Sequence, residues 1–186
     1  MALSHVTKVF AVKEMKVSKM LTDPPSVPPA TYSASVPLVG SQKLTINGVI
    51  NTKYLRGDNM LLDSDTVWDS LTATVDYAKL SLDAMAVFYS TAVVDSGVTP
   101  NQLATLGMKN TDTLNFFKLE ARSAGADPLA GDVLFSLWKC KLSSFPTMGL
   151  AEEDYQRASL SITLLPRLAD NLWLTPVIRE TAVALT

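Results

Sequence analysis

Two runs in the sequence concentrate carboxylates. DNMLLDSD, Asp58 to Asp65, gathers three aspartates and an asparagine, and LAEEDY, Leu150 to Tyr155, sets three acids side by side. Carboxylates at that density could hold a hard cation or pass a proton. The first run lacks the regular acidic spacing and closing glutamate of a calcium loop. The second has no partner carboxylate that can be placed opposite it. Both read as solvated turns. The single histidine, His5, lies near the start of the sequence, and the single cysteine, Cys140, lies on the apolar side of a strand-like run. One thiol cannot close an internal disulfide, fits a reducing compartment, and in an apolar setting behaves as a small hydrophobe. Histidine catalysis, Cys/His metal ligation and cofactor binding are not expected, since the glycines include no phosphate-loop or dinucleotide spacing. RGD at Arg56 to Asp58 is a three-letter match of the kind that arises by chance.

If chemistry is absent, composition suggests what replaces it. Of 186 residues, 47% are hydrophobic and only 18% charged, which is apolar for a soluble monomer. No uninterrupted run approaches the roughly 18 apolar residues of a membrane span, so no membrane partner is expected. The N-terminal stretch carries Lys8, Lys13, Glu14 and Lys16 within its apolar pattern and has no compact signal-peptide core. Surplus apolar surface then points to burial against other subunits. A net charge of −2 and a pI near 5.3 are unlike the basic footprint of a nucleic-acid-gripping protein.

The elements that must position these residues are mostly strands. Ser4 to Met20 is strand-like, as one strand or two with a bend. TDPPSVPPATYSAS, Thr22 to Ser35, is an extended loop containing Pro24, Pro25, Pro28 and Pro29. It reads as a surface excursion or as an arm that orders on a neighbour, the arm being favoured because proline lowers the entropy cost of ordering. In SQKLTINGVINTKYL, Ser41 to Leu55, Asn47-Gly48 predicts a two-residue hairpin turn between alternating runs, with RGDNMLLDSDT as the next turn region. Val67, Leu71, Ala73, Val75 and Tyr77 share one strand face opposite Ser70, Thr72, Thr74 and Asp76. Asp69 breaks the first face and Trp68 the second. Ser81 caps a short helix with Asp83 in its first turn and a stripe of Leu82, Met85, Ala86 and Tyr89. DSGVTPNQ ends that element, and Asn101 to Asn110 fits no single period.

Strands resume in the second half. Phe117, Leu119 and Ala121 oppose Phe116, Lys118, Glu120 and Arg122, and GADPLAGD is a turn. The run Val133 to Leu142 is apolar on both faces, with Leu134, Trp138, Cys140 and Leu142 against Val133, Phe135 and Leu137. It can be a central core strand, or one that packs core on one side and a neighbouring subunit on the other. Ala158, Leu160, Ile162 and Leu164 alternate with Arg157, Ser159, Ser161 and Thr163, and a last strand holds Pro176 near an edge or its end. About seven to nine strands and one short helix suggest a mainly β, antiparallel sandwich or barrel with one flanking helix. No linker divides the chain, so residues 1–186 read as one domain with 22–35 as the proline-rich loop and 181–186 as a C-terminal tail.

Several of these pieces, in this order, resemble the major tail tube proteins of long-tailed bacteriophages: QKLTING, LRGDNM, the strand-to-helix run SLTATVDYAKLSLDAMAVFYS, FKLEARS followed by GDVLFSLWKCKLSS, and GLAEEDYQRASLSITLLPR. The likeness spans most of residues 41–180; the proline-rich segment and the C-terminal tail depart from it. It implies a non-enzymatic structural subunit of the virion tail, assembled in the host cytoplasm, whose hexameric rings stack into a conduit for DNA ejection. It further implies loops and terminal arms that lock ring to ring, and a tape measure protein and tail terminator as partners. A related secretion-needle tube protein shares that fold. A monomeric receptor- or carbohydrate-binding sandwich at the tail tip is a different reading, motivated by the RGD turn and Trp68.

A conduit must pass DNA without holding it. Lysine and arginine bind phosphate through counterion release, whereas small hydroxyls and acids do not. Six copies at −2 give about −12 per ring, which suits transit. Ser70, Thr72, Thr74 and Asp76 are the expected pore-facing residues, with Ser159, Ser161 and Thr163 as an alternative face. Pro24, Pro25, Pro28 and Pro29 are the expected inter-ring loop residues, and Val133, Phe135 and Leu137 the expected intersubunit ones.

Overall fold

The computed structural model describes residues 9–26, 29–57, 60–125, 131–147, 157–181 and 183–185. His5, Pro28, Asp58, Asn59, most of the expected GADPLAGD turn (126–130) and the acidic run Leu150 to Tyr155 lie outside them. Alternating apolar side chains build eleven described strands around one short helix, joined in antiparallel pairs. β1 (Val9–Thr22) is a single strand whose bend is a pair of register shifts between Val9 and Glu14. The two-residue strands β2 (Thr31–Tyr32) and β3 (Val36–Pro37) return along its edge. Then come β4 (Ser41–Gly57), β5 (Met60–Tyr77), α1 (Leu82–Phe88) and the small hairpin of β6 (Val93–Ser96) with β7 (Leu103–Leu106), which occupies the stretch that had no clear period. β8 (Phe117–Gly125), β9 (Asp132–Leu142), β10 (Ala158–Leu164) and β11 (Leu174–Ile178) complete the order.

In the main sheet β1, β8, β9, β10, β5 and β4 lie side by side, and β1 comes back into contact with β4 without a ladder between them. The sheet thus curls around Met15, Val17, Val75, Leu119, Leu137, Leu160 and Ile162, all at most 1% exposed. Burial of each such side chain contributes about 1.5–3 kcal/mol. The helix closes this interior. Its N–H at Ala84 bonds to the Ser81 hydroxyl at 3.2 Å, as the capping pattern predicts. The buried face is Ala84, Met85, Val87 and Phe88, rotated from the expected stripe, because the Phe88 ring packs on Phe117 at 4.8 Å between centroids. Leu82 and Ala86 stay half-buried.

β9 is the junction. One of its edges pairs with β8; the other is shared, with β11 along Val133–Ile178 to Leu137–Leu174 and β10 along Cys140–Leu142. The pairs Phe117↔Cys140 and Leu119↔Leu137 leave one extra residue on β9, a bulge at Trp138 or Lys139. That bulge moves Cys140 and Leu142 onto the face of Leu137, correcting the expected partition of this strand. β11 pairs only with β9 among the described residues, so Pro176 sits on an edge strand as expected.

The C-terminal tail is held on the outer face of β1, β8 and β9. Val183 N–H donates to Asp132 Oδ2 at 3.0 Å, Leu185 N–H to Glu14 Oε2 at 3.3 Å, and Lys16 Nζ to Leu185 O at 2.6 Å. Arg122 bridges Asp132 at 2.9 Å and Glu14 at 3.3 Å beneath it.

Candidate functional site: a hydroxyl-lined face and a projecting arm

The two polar rows expected as alternatives are one surface. β10 and β5 pair Ser159↔Asp76, Ser161↔Thr74 and Thr163↔Thr72, and β5 and β4 pair Asp76↔Lys43, Thr74↔Thr45 and Thr72↔Asn47. Directly opposed residues of antiparallel strands project to the same face. The alternate residues Leu71, Ala73, Val75 and Tyr77, with Ala158, Leu160, Ile162 and Leu164, are buried beneath. The face therefore carries cross-strand rows Ser161–Thr74–Thr45 and Thr163–Thr72–Asn47, with the Thr72 hydroxyl 3.4 Å from Asn47 O. Ser70 extends the face opposite Val49. Charge is confined to its margins: Lys43 and Asp76 at one end, Lys141 opposite Thr163 on β9, and exposed Arg157 just before β10.

Thr45, Asn47 and Lys43 were missed as members of this face. Their signal was present, since Lys43, Thr45 and Asn47 alternate with Leu44 and Ile46, but the Asn-Gly turn preference masked it. There is no turn at Asn47-Gly48. β4 continues through it to Gly57, and RGDNMLLDSDT is mostly strand, with the reversal falling between Gly57 and Met60. The reason is pairing: Asn47 and Gly48 sit opposite Thr72 and Leu71 in a ladder that runs the length of both strands.

Beyond the sheet body this ladder becomes an arm. β10 accompanies β5 only over Leu71–Tyr77, so Met60–Ser70 and Val49–Gly57 run on as a two-stranded ribbon. At ~3.3 Å per residue its reach is on the order of 30 Å. Large apolar side chains on it are exposed, Trp68 at 64% and Tyr54 and Leu55 at 60% each, and Val67 lies out here rather than in the core. Where body meets arm, Val49↔Ser70 is followed by Ile50↔Trp68, leaving Asp69 as an extra residue on β5. This bulge explains both breaks in the sequence pattern. It shifts the phase by one, so Trp68 joins the side of Gly48 and Leu71 and Asp69 is the unpaired residue.

The other expected site residues are placed differently. Val133 and Leu137 are 3% and 0% exposed, and Leu134 and Ser136 behind them are buried too. This chain covers Val133 and Leu137, so neither has free surface to give a neighbour, whereas half-buried Phe135 keeps some. The proline-rich loop is closed by Met20↔Tyr32 and Thr22↔Thr31 and pinned at its root by Asp23, which binds Lys139 Nζ at 2.6 Å and Leu168 N–H at 3.1 Å. The root of the loop is thus anchored on its own chain; beyond it Pro25 and Pro29 are exposed and Pro24 half-buried. Beside it, Arg167 stacks on Trp138 at 4.2 Å and is paired with Asp170. Arg167 holds the Asp170 carboxyl below the usual range. Cys140 is fully buried, as expected of a small hydrophobe. Arg56 and Gly57 end β4 at the arm's tip.

Among the described residues no three His, Cys, Asp or Glu side chains gather as metal ligands, and no helix is long and apolar enough to cross a membrane. No family model matches the sequence, and no curated protein matches it.

Proposed function

We propose that this chain is a structural subunit of a long-tailed phage tail tube, forming hexameric rings that stack into a conduit for DNA. The observation that carries this reading is the continuous hydroxyl and amide face across β10, β5 and β4, which runs out to an edge that is unpaired among the described residues. An open edge of a 17-residue strand is a template for further pairing, and single soluble chains blunt such edges. Copies joined there would extend the face around a bore whose wall offers donors and acceptors but few cations, so phosphates slide past it. In this role the chain makes and breaks no bonds. It resides in the virion tail after assembly in the host cytoplasm, alongside a tape measure protein and a tail terminator. Negative-stain images of the purified protein at high concentration test this: rings or tubes are expected, and a strictly monomeric species sinks the proposal.

The location of Arg56 and Gly57 at the arm's tip favours a second reading, adhesion to a receptor. Binding of the isolated protein to cells, lost in Arg56→Ala, is the outcome that reading requires.

A further inference from the structure

The arm has two free edges of opposite charge. Among the described residues no strand pairs with the outer edge of β4, and none pairs with β5 over Met60–Ser70. The β4 strand of the arm carries Lys53 and Arg56; the β5 strand carries Asp63, Asp65 and Asp69. All five are exposed, and none forms an ion pair among the described residues. Within one arm Lys53 faces Asp65 across the ladder, so the ribbon already has one basic and one acidic strand.

We infer that arms of neighbouring copies pair edge to edge, the acidic β5 strand of one against the basic β4 strand of the next. This deepens the ring reading and rests on it for closure. Copies related by rotation about a ring keep the same orientation, so β5 of one arm meets β4 of the next antiparallel, as a β-ladder allows. The two contacting edges are different surfaces, which makes the interface heterologous, the kind that closes rings. Side chains of adjacent strands then alternate acid, base, acid, base, so Lys53 lies between the aspartates of its own arm and those of the neighbour. Opposite charges directly across strands stabilise and like charges repel. Pairing in the wrong sense, β4 on β4 or β5 on β5, sets like charges together, so the charges also fix the direction of assembly.

The test uses full-length chains. Lys53→Asp with Arg56→Asp makes both edges acidic; Asp63→Lys with Asp65→Lys makes both basic. Each variant alone should need at least about tenfold more protein to form rings or tubes by light scattering and negative stain. Mixed one to one, the two should assemble near the wild-type concentration, because each acidic edge now finds a basic one. The chain with all four substitutions should assemble alone and exclude wild type. Absence of rescue on mixing means the losses arise inside each arm, and the inference falls. Assembly of both single-sided variants at the wild-type concentration also overturns it, leaving the tube reading intact. A wild-type chain that never assembles removes both.

Discussion

The Trp68 ring lies over the backbone of Gly48: a methyl group at Gly48 would meet Trp68 Cζ3 at 2.5 Å and the Leu71 side chain at 3.2 Å. A glycine inside a strand that accepts an aromatic ring from the next strand marks a close cross-strand approach. Because Trp68 is exposed and attached by a flexible stem, Gly48→Ala should displace the ring rather than the ladder. The expected result is a change in near-ultraviolet circular dichroism that is absent in a Trp68→Phe background. Global stability should move by no more than about 1 kcal/mol. Loss of the folded state in Gly48→Ala would show that the glycine serves the backbone instead.

Cys140 is sealed beneath the β8–β9 bulge. Burial pushes its thiol far up, and the thiol donates to Leu137 O at 3.7 Å. It should resist a disulfide reagent at mildly alkaline pH and react fully once the chain is unfolded. Cys140→Ser buries a more strongly solvated hydroxyl on a shorter bond, with Leu137 O as its acceptor at long range, and should cost about 1–3 kcal/mol in urea unfolding. Fast labelling of the native protein contradicts this placement.

Tyr32 ties the proline-rich loop to the sheet by donating its hydroxyl to Trp138 O at 2.9 Å. Burial raises it from its ordinary 10 to about 12, against the opposing charge of Arg167. Between those values the unfolded chain gives up this proton and the folded chain keeps it, so stability falls as pH rises from 10 to 12. Burial also raises Tyr77 and Tyr89, so Tyr32→Phe should make the slope shallower without abolishing it. Urea midpoints across this range decide the matter; equal slopes in the two proteins exclude Tyr32 as a contributor.

The proline-rich excursion closes on itself through Thr22↔Thr31, whose hydroxyls are 2.7 Å apart. Deleting Pro24 to Pro29 therefore removes only what lies beyond that closure. The shortened chain should unfold cooperatively with its sheet intact, while tubes become shorter if the tip contacts the next ring. Tubes of normal length would confine the loop to its own subunit.

Where alternation is strict, sequence and structure coincide. β8 and β10 face as their periods require, and the Ser81 cap forms because a hydroxyl there meets a free N–H three residues on. The bulges at Asp69 and at Trp138 or Lys139 had no signature beyond a residue on the wrong face, since neither uses glycine. Asn47-Gly48 misled because turn preference is local, and a long ladder with Thr72 and Leu71 outweighs it. Each polar row of the candidate face was visible by itself. Their union depends on β10 lying beside β5, a neighbourhood set by three-dimensional packing across the eighty residues between them.

Thr74 stands at the centre of that union, between Ser161 and Thr45. If the face lines a bore, a cysteine there should react with a small maleimide in both free subunits and assembled tubes. A maleimide on a polymer too wide for the bore should label only free subunits. Cys140, buried throughout, leaves the background low. Thr74→Lys then asks about transit: Thr74 is half-buried on the open side of the sheet, and a surface substitution usually costs within about 0.5 kcal/mol, so rings should still form. Yet each ring would gain a circle of cations, and DNA release from reconstituted particles should slow and become faster again with added salt. Equal labelling of tubes by both reagents would put Thr74 on the outside, and the hydroxyl face would need another role.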